Sequence, residues 1–537
     1  MSESDWWKRG VIYQIYPRSF ADSNGDGIGD LPGIIGRLDY LADLGVDAIW
    51  LSPIHSSPMA DFGYDVSDYC EIDPVFGTLA DFDSLVGEAR RRGIRVVMDL
   101  VLNHTSVRHP WFLESRSSRD NPKRDWYIWR DGSGGGPPNN WQASFGGGAW
   151  EWDERTGQYY LHSFMREQPD VNWRNPEQKE AMLAAVRFWL DRGVAGFRLD
   201  VINWLVKDEL YRSNPFGLGP TPRPYDLQRH LYDRNRPETH AIARELRALM
   251  DSSEGRMLVG EVYAEPPGDP VLSASYLRPG DELHLAFDFS LLFSKWSAAR
   301  FYRSIARWME ALPPGGWPCH VLSNHDQPRS ASRLARGSRA EADARARVAA
   351  VLLLTLRGTP FLYYGEELGM RDGRIRRSEI VDPIGRRYWP LNRGRDAERT
   401  PMPWSDGESA GFTSGRPWLP VDPEHREINV ERQARDAASL LNFYKRLIVL
   451  RRERRALTAG EWIPAVAGKG EVIAYYRVAG DERILVALNF ARSLRKLPVE
   501  RPEDWRVLCS THRGAGETQS GLALSLGPYE ATIWEER

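Results

Sequence analysis

Short continuous apolar runs alternate along most of this chain with stretches in which apolar residues recur every third or fourth position. The first run, 11–16, is rich in β-branched and aromatic residues and reads as a strand. Leu38–Leu44 has helical periodicity, and Ala48–Leu51 reads as a second strand. A helix over 82–92 then precedes a third strand at 94–100. From 176 to 192 an amphipathic helix is predicted, ended by Gly193 and followed by a fourth strand at 196–201. Further strands are predicted at 257–262, 285–289, 320–326 and 359–364. Eight strand signals separated by helical ones predict an α/β fold, a (β/α)8 barrel.

Two segments interrupt the alternation. Residues 105–173 are rich in Gly, Pro, Trp and Asn and too long for a loop within one compact domain, so they read as an inserted subdomain B of short strands. Residues 207–251 form a second excursion, part loop and part helix. After a last helix at 440–454 the pattern becomes β-type with short polar turns, which predicts a small C-terminal antiparallel β-sandwich domain. The expected division is 1–104 with 174–456 as the barrel, 105–173 as the insert and 457–537 as the sandwich, in keeping with a 537-residue chain.

Composition narrows the class. Hydrophobic residues make up 42% of the chain and charged residues 27%, with a net charge of −3, so no basic surface for nucleic acid is indicated. Cys70, Cys319 and Cys509 lie far apart and fit neither a disulfide framework nor a metal-binding spacing. No run is long enough to span a membrane, and the first residues lack the apolar core of a signal peptide, which leads us to expect a cytoplasmic protein.

The strand at 196–201 carries the first chemical signal. Phe197, Leu199 and Val201 serve packing, but Arg198 and Asp200 are costly to bury in a core strand unless paired. Glu261 and Asp326 likewise end the fifth and seventh strands, and His104, Arg198 and His325 share the same predicted rim. Two carboxyl groups suffice for glycoside hydrolysis, one to protonate the leaving oxygen and one to attack or activate water. Asp200, beside Arg198, is expected to stay ionised. Glu261 has no cation next to it in sequence and suits a raised pKa and a general-acid role, with Glu265 as its rival. Asp22, Asn24, Asp26 and Asp30 form most of a calcium-loop pattern, with Gly27 at the sixth position, although Gly33 stands where the last Glu ligand belongs.

The motifs at 99–104 (DLVLNH), 196–200 (GFRLD), 260–262 (GEV) and 323–327 (SNHDQ) occur in order, each at a predicted strand end. Together they resemble those of the α-amylase superfamily of retaining glycosidases, glycoside hydrolase family 13. Within it, the likeness is to the exo-acting α-glucosidase and oligo-1,6-glucosidase branch. That resemblance implies Asp200 as nucleophile, Glu261 as general acid/base and Asp326 as the residue that distorts the sugar ring. It implies His104, Arg198 and His325 as ligands of the same glucose, and Asp61, Tyr64 and Arg399 as the residues that close the pocket at its non-reducing end. Phe145 and Phe164 are expected to reach back from the insert. No cofactor is implied for the chemistry. A structural Ca2+ or Mg2+ is expected on Asp22, Asn24, Asp26, Asp30 and the Ile28 carbonyl.

The expected activity is release of terminal α-linked glucose from maltose- or isomaltose-sized oligosaccharides by double displacement, with the carboxyl groups about 5–5.5 Å apart. Asn203 and Trp204 replace the Lys-His pair of endo-acting relatives. Val201 resembles the α-1,6-cleaving branch, while the 207–251 excursion resembles α-glucosidases of broader taste. An oligo-1,6-glucosidase and a glucosyl-transferring or isomerising enzyme remain alternatives. A catalytically inactive accessory subunit is disfavoured by the presence of all three acids. Linkage preference, chain length and oligomeric state stay open.

Overall fold

The computed structural model describes residues 5–264, 268–278, 280–334, 337–498, 504–521 and 523–536. Eight parallel strands form one sheet: β1 (Ile12–Ile15), β2 (Ala48–Leu51), β3 (Arg95–Val101), β4 (Gly196–Asp200), β5 (Met257–Gly260), β6 (Leu285–Ala286), β7 (Cys319–Val321) and β8 (Thr359–Tyr363). Their order is β6-β5-β4-β3-β2-β1-β8-β7. A single parallel bridge, Asp288 to His320, joins the two ends and closes the (β/α)8 barrel. β6 is the shortest of the eight, only two residues, because its predicted run continues into this bridge and the turn after it.

The alternation of side chains along each strand sorts residues between two cores. Inward positions such as Ile12, Trp50, Val97, Val259 and Phe361 form an apolar cluster within the barrel. Outward positions such as Tyr13, Ile49, Met98, Phe197 and Leu199 pack in the larger core beneath the helices. Register then determines the polar rim. Asp99 on β3 is level with Arg198 on β4, and Val101 with Asp200, so the charged groups that leave the apolar cluster meet at one height.

Local caps fix the helices that aim these strands. Thr78 and Asp81 make a reciprocal capping box on Leu79–Arg91, and the Asn175 side chain accepts from two amides at the start of Pro176–Asp191. Gly193, at φ 89°, takes the left-handed turn that lets the chain leave that helix for β4.

Within 105–173, Trp129–Arg130, Gln158–Leu161 and Trp150–Asp153 form a three-stranded antiparallel sheet. A buried Lys207 joins this segment to the barrel: its Nζ lies 2.8 Å from Asp170 and donates to Asn103 at 2.7 Å. Beyond Arg455–Ala459, a six-stranded antiparallel sheet faces a two-stranded one, Arg495–Pro498 with Ala523–Leu526. Tyr476, Leu497, Trp505, Leu526 and Trp534 fill the space between the two sheets. Arg477 ties this unit to the barrel by donating to the Thr355 carbonyl, and Tyr475 bonds the Thr355 hydroxyl at 2.6 Å.

Candidate active site

Arg198 is the centre of the rim. It is 1% exposed, and its guanidinium reaches three carboxylates: Asp99 at 2.8 Å, Asp200 at 2.7 Å and Glu261 at 2.6 Å. Asp200 and Glu261 thus sit on the two nitrogens of one fork. Between them the backbone is forced. Val201 adopts φ 38°, ψ 47°, a left-handed conformation that a β-branched residue rarely takes, and this turn points its N–H at Glu261 Oε2, 3.3 Å away. Glu261 Oε1 is buried without a hydrogen-bond partner.

Burial governs the acidity of this pair. For Asp200 it is the largest influence and raises the carboxyl pKa, with Arg198 opposing it. Glu261 is raised for the same reason, and the neighbouring Asp200 and Asp326 push it further. Asp200 is expected to stay ionised beside Arg198; the cation does lower its pKa, but three acids share that cation and burial outweighs it. Glu261 has no cation next to it in sequence, but β4 and β5 run side by side and bring Arg198 to it in space. Glu265 lies outside the described residues.

Asp326 behaves differently. Burial opposes its ionisation, but the charges around it, His325 once protonated in acid and the Arg395, Arg399 and Arg198 guanidiniums throughout, hold it below the ordinary carboxylate range. Arg399 contacts it at 2.9 Å and Arg395 at 3.2 Å. His325, kept neutral by burial, accepts at Nδ1 from the Gln14 amide. That bond places the ring proton on Nε2, which faces Tyr64 at 2.6 Å and Asp326 at 3.3 Å. Tyr64 lies parallel to the His325 ring and donates to Asp99 at 3.0 Å.

The remaining expected pocket residues converge here. His104 bonds the Tyr64 carbonyl, and Gln168 reaches both His104 and Asp61. Phe164 stacks on Trp204 and touches Phe145, so the insert does reach back to the rim. Asp61 is partnered by Arg395, at 2.6 Å, and Arg399 by Asp326. Asp99, Gln168 and Arg395 were missed as site residues. Asp99 carried the same signal as Arg198, a charge within a core strand. Arg395 lies in an irregular segment with no pattern to single it out.

Asp61, Tyr64, His104, Asp200, Glu261 and Asp326 line a cavity of about 470 Å³, whereas Arg198, His325 and Arg399 stand behind its wall and reach it through the carboxylates they hold. Its walls come from the rim, from the insert through Ser144 and Phe145, from the second excursion through Arg223 and Tyr225, and from the segment after β8 through Ile384 and Asn392.

The loop at 22–30 is ordered by its own backbone. Asp22 accepts from the amides of Asn24, Gly25 and Gly27, and Asp30 accepts from Ser23 and Gly33. Asn24 and Asp26 accept from the amides of Asp26 and Ile28. With the Ile28 carbonyl, all donors here are oxygen, the set a hard cation takes. Among the described residues, no group of three or more His, Cys, Asp or Glu is gathered as a metal cluster.

A family profile described as the α-amylase catalytic domain matches residues 14–460. The chain is 46% identical to a probable alpha-glucosidase of Rhizobium meliloti (strain 1021) over 512 residues, 93% of this chain and 92% of that protein. It is 40% identical to an oligo-1,6-glucosidase of Parageobacillus thermoglucosidasius over 570 aligned positions, the full length of both. Among solved structures, the alpha-glucosyl transfer enzyme XgtA superposes with a TM-score of 0.93 at 43% identity, covering 99% of each chain.

Proposed function

The chain belongs to the α-amylase family of glycoside hydrolases, and from that premise we propose an exo-acting α-glucosidase that releases terminal non-reducing α-linked glucose from short oligosaccharides with retention. The observation that carries this reading is the fork of Arg198 between Asp200 and Glu261, facing Asp326 at the base of a walled pocket. In the first step Asp200 attacks the anomeric carbon, the glycosidic C–O bond breaks, and Glu261 gives its proton to the departing oxygen. Its partnerless Oε1 is the atom free to carry that proton. In the second step Glu261 takes a proton from water, which attacks the same carbon and frees Asp200. Two inversions restore the starting configuration. A sugar in place of water gives transglycosylation.

Arg198 holds both acids at fixed spacing, and Asp326 grips sugar hydroxyls as positive charge develops on the ring. His104, His325, Tyr64 and Asp61 complete the binding of that glucose, with Phe145, Phe164 and Val201 as its apolar neighbours. Walls from three irregular segments leave room for short chains. Asp22, Asn24, Asp26, Asp30 and the Ile28 carbonyl would hold a structural Ca2+ that stiffens the loop after β1, away from the chemistry. No helix among the described residues is long and apolar enough to cross a membrane, and the three cysteines are unpaired, which suits a cytoplasmic setting.

The test is product analysis with maltose, isomaltose, sucrose and trehalose. Glucose released first as the α-anomer is expected from at least one of them. No glucose from any would sink the reading, and rearranged disaccharides would point to an isomerase. The ratio of maltose to isomaltose turnover assigns the linkage.

A further inference from the structure

The face of the barrel opposite the sugar pocket holds a second large cavity, of about 710 Å³. It lies at the amino ends of β1, β2 and β3, against Val11, Asp47 and Arg95, whereas Asp200 and Glu261 stand at the carboxyl ends of β4 and β5. Its other walls are Trp6 and Arg9, the end of the helix Leu440–Glu453, and the short helix Arg455–Ala459 that leads into the C-terminal sandwich. Five arginines line it, Arg9, Arg95, Arg451, Arg452 and Arg455, against two acids, Asp47 and Glu453. The whole chain carries a net charge of −3, so this excess of cations is local.

The chain's own acids do little to balance these cations. Arg452 reaches Asp47 at 3.4 Å, but Asp47 already accepts from the Val11 amide at 2.8 Å. Arg95 lies over the Trp6 ring at 5.0 Å, and among the described residues neither Arg95 nor Arg455 forms an ion pair. Arg451 is the more costly case. It is 1% exposed and donates to the carbonyls of Leu354, Leu457 and Gly358, while its Nε is buried with no hydrogen-bond partner. Arg477, also buried, faces it from the sandwich side, and among the described residues neither of the two touches an acid. A buried charge without a counter-ion is unfavourable. Burial pulls the Arg451 guanidinium down to about 10, which leaves it a cation at neutral pH.

We propose that this cavity binds a small phosphate-bearing anion, which pairs with the arginines and fastens the strand ends of the barrel to the helix that carries the sandwich. A guanidinium fork matches two phosphate oxygens at once, and a cleft lined by one sign of charge concentrates ions of the other. The volume is that of a small-molecule site, wide enough for a phosphorylated sugar or a nucleotide as well as for phosphate itself. Half-buried Arg95 and exposed Arg455 give up no acid in turning to the ligand, and Arg451 adds its charge from behind them. The site stands apart from the sugar pocket and does not rest on the glucosidase reading.

The experiment titrates the full chain with inorganic phosphate, glucose 6-phosphate and ATP by calorimetry, and follows melting temperature, each against sodium chloride of equal ionic strength. At least one of the three is expected to bind with one site per chain, and the tightest of them identifies the source of the phosphate group. A hundredfold excess over Kd should raise the melting temperature by about 2 °C. R455A should weaken binding by about 10-fold or more, the scale of one charge-assisted hydrogen bond, and R95A/R455A further, with hydrolysis of α-glucosides unchanged in R455A. Should R95A/R455A fail to fold, R452A/R455A, which alters exposed side chains alone, takes its place. No binding by any of the three, a melting shift that sodium chloride reproduces, or full affinity in the arginine variants would overturn the proposal. So would a ligand that glucose displaces, because that places it in the sugar pocket.

Discussion

Replacing Arg198 with Met tests the shared-cation reading most directly. The guanidinium makes contacts of 2.6–2.8 Å with three carboxylates at 1% exposure, so no solvent or other cation takes its place. Removing one partner of a buried pair costs about 3–5 kcal/mol. At about 2.1 cal/mol/K per residue the unfolding entropy of 537 residues is roughly 1.1 kcal/mol/K, so the melting temperature should fall by about 3–4 °C. The sign with pH is fixed by the acids. Burial already raises Asp99, Asp200 and Glu261 above their unfolded values, and losing the cation raises them further. A carboxyl with a raised folded pKa loses stability as pH climbs from its unfolded to its folded value. The variant's deficit is thus small near pH 5.5, where these groups hold their protons in both proteins, and largest near pH 8.5. Differential scanning fluorimetry at the two pH values reads it. A deficit that is equal at both, or below 1 °C at pH 8.5, would refute the reasoning.

Glu261→Gln should slow cleavage of sugar leaving groups by about 10²–10⁴-fold, but far less for a glucosyl fluoride, which needs no proton; equal losses would exclude Glu261 as proton donor. The kcat/KM profile should be bell-shaped, with Asp200 losing its proton on the acid limb and Glu261 on the basic limb. Both limbs should lie above the ordinary carboxyl range because burial raises both, and an acid limb near pH 4 would contradict this. Chelator treatment should lower the melting temperature without changing kcat at room temperature; no shift would remove the cation from the loop at 22–30.

Much of the barrel was legible because each strand is a compact apolar run, and Arg198 and Asp200 stood out as charges in a place that has no packing use for them. What the sequence could not convey was register. Arg198 serves Asp99 and Glu261 only because β3 and β5 align level with β4, and no local pattern records that alignment. The same gap hid that Asp200 shares its cation with two further acids. Arg395 escaped for another reason: irregular backbone carries no periodicity, and its partners lie 13, 69 and 334 residues away. The helix predicted at 82–92 begins earlier, at Leu79, because the Thr78–Asp81 capping box sets its start.

The bridge that closes the barrel bears on how heat would disable this molecule. β6 and β7 are clasped at Asp288 and His320 alone, while the other neighbouring strands share ladders of two to five residue pairs. The hoop is weakest at that clasp, and amide exchange should begin there. β7 leads into His325 and Asp326, whereas Asp200 and Glu261 follow β4 and β5, which are joined to each other by four residue pairs. Warming is therefore expected to loosen the proposed sugar contacts at His325 and Asp326 while Asp200 and Glu261 are still held in place. The enzyme would lose its affinity before it loses its fold.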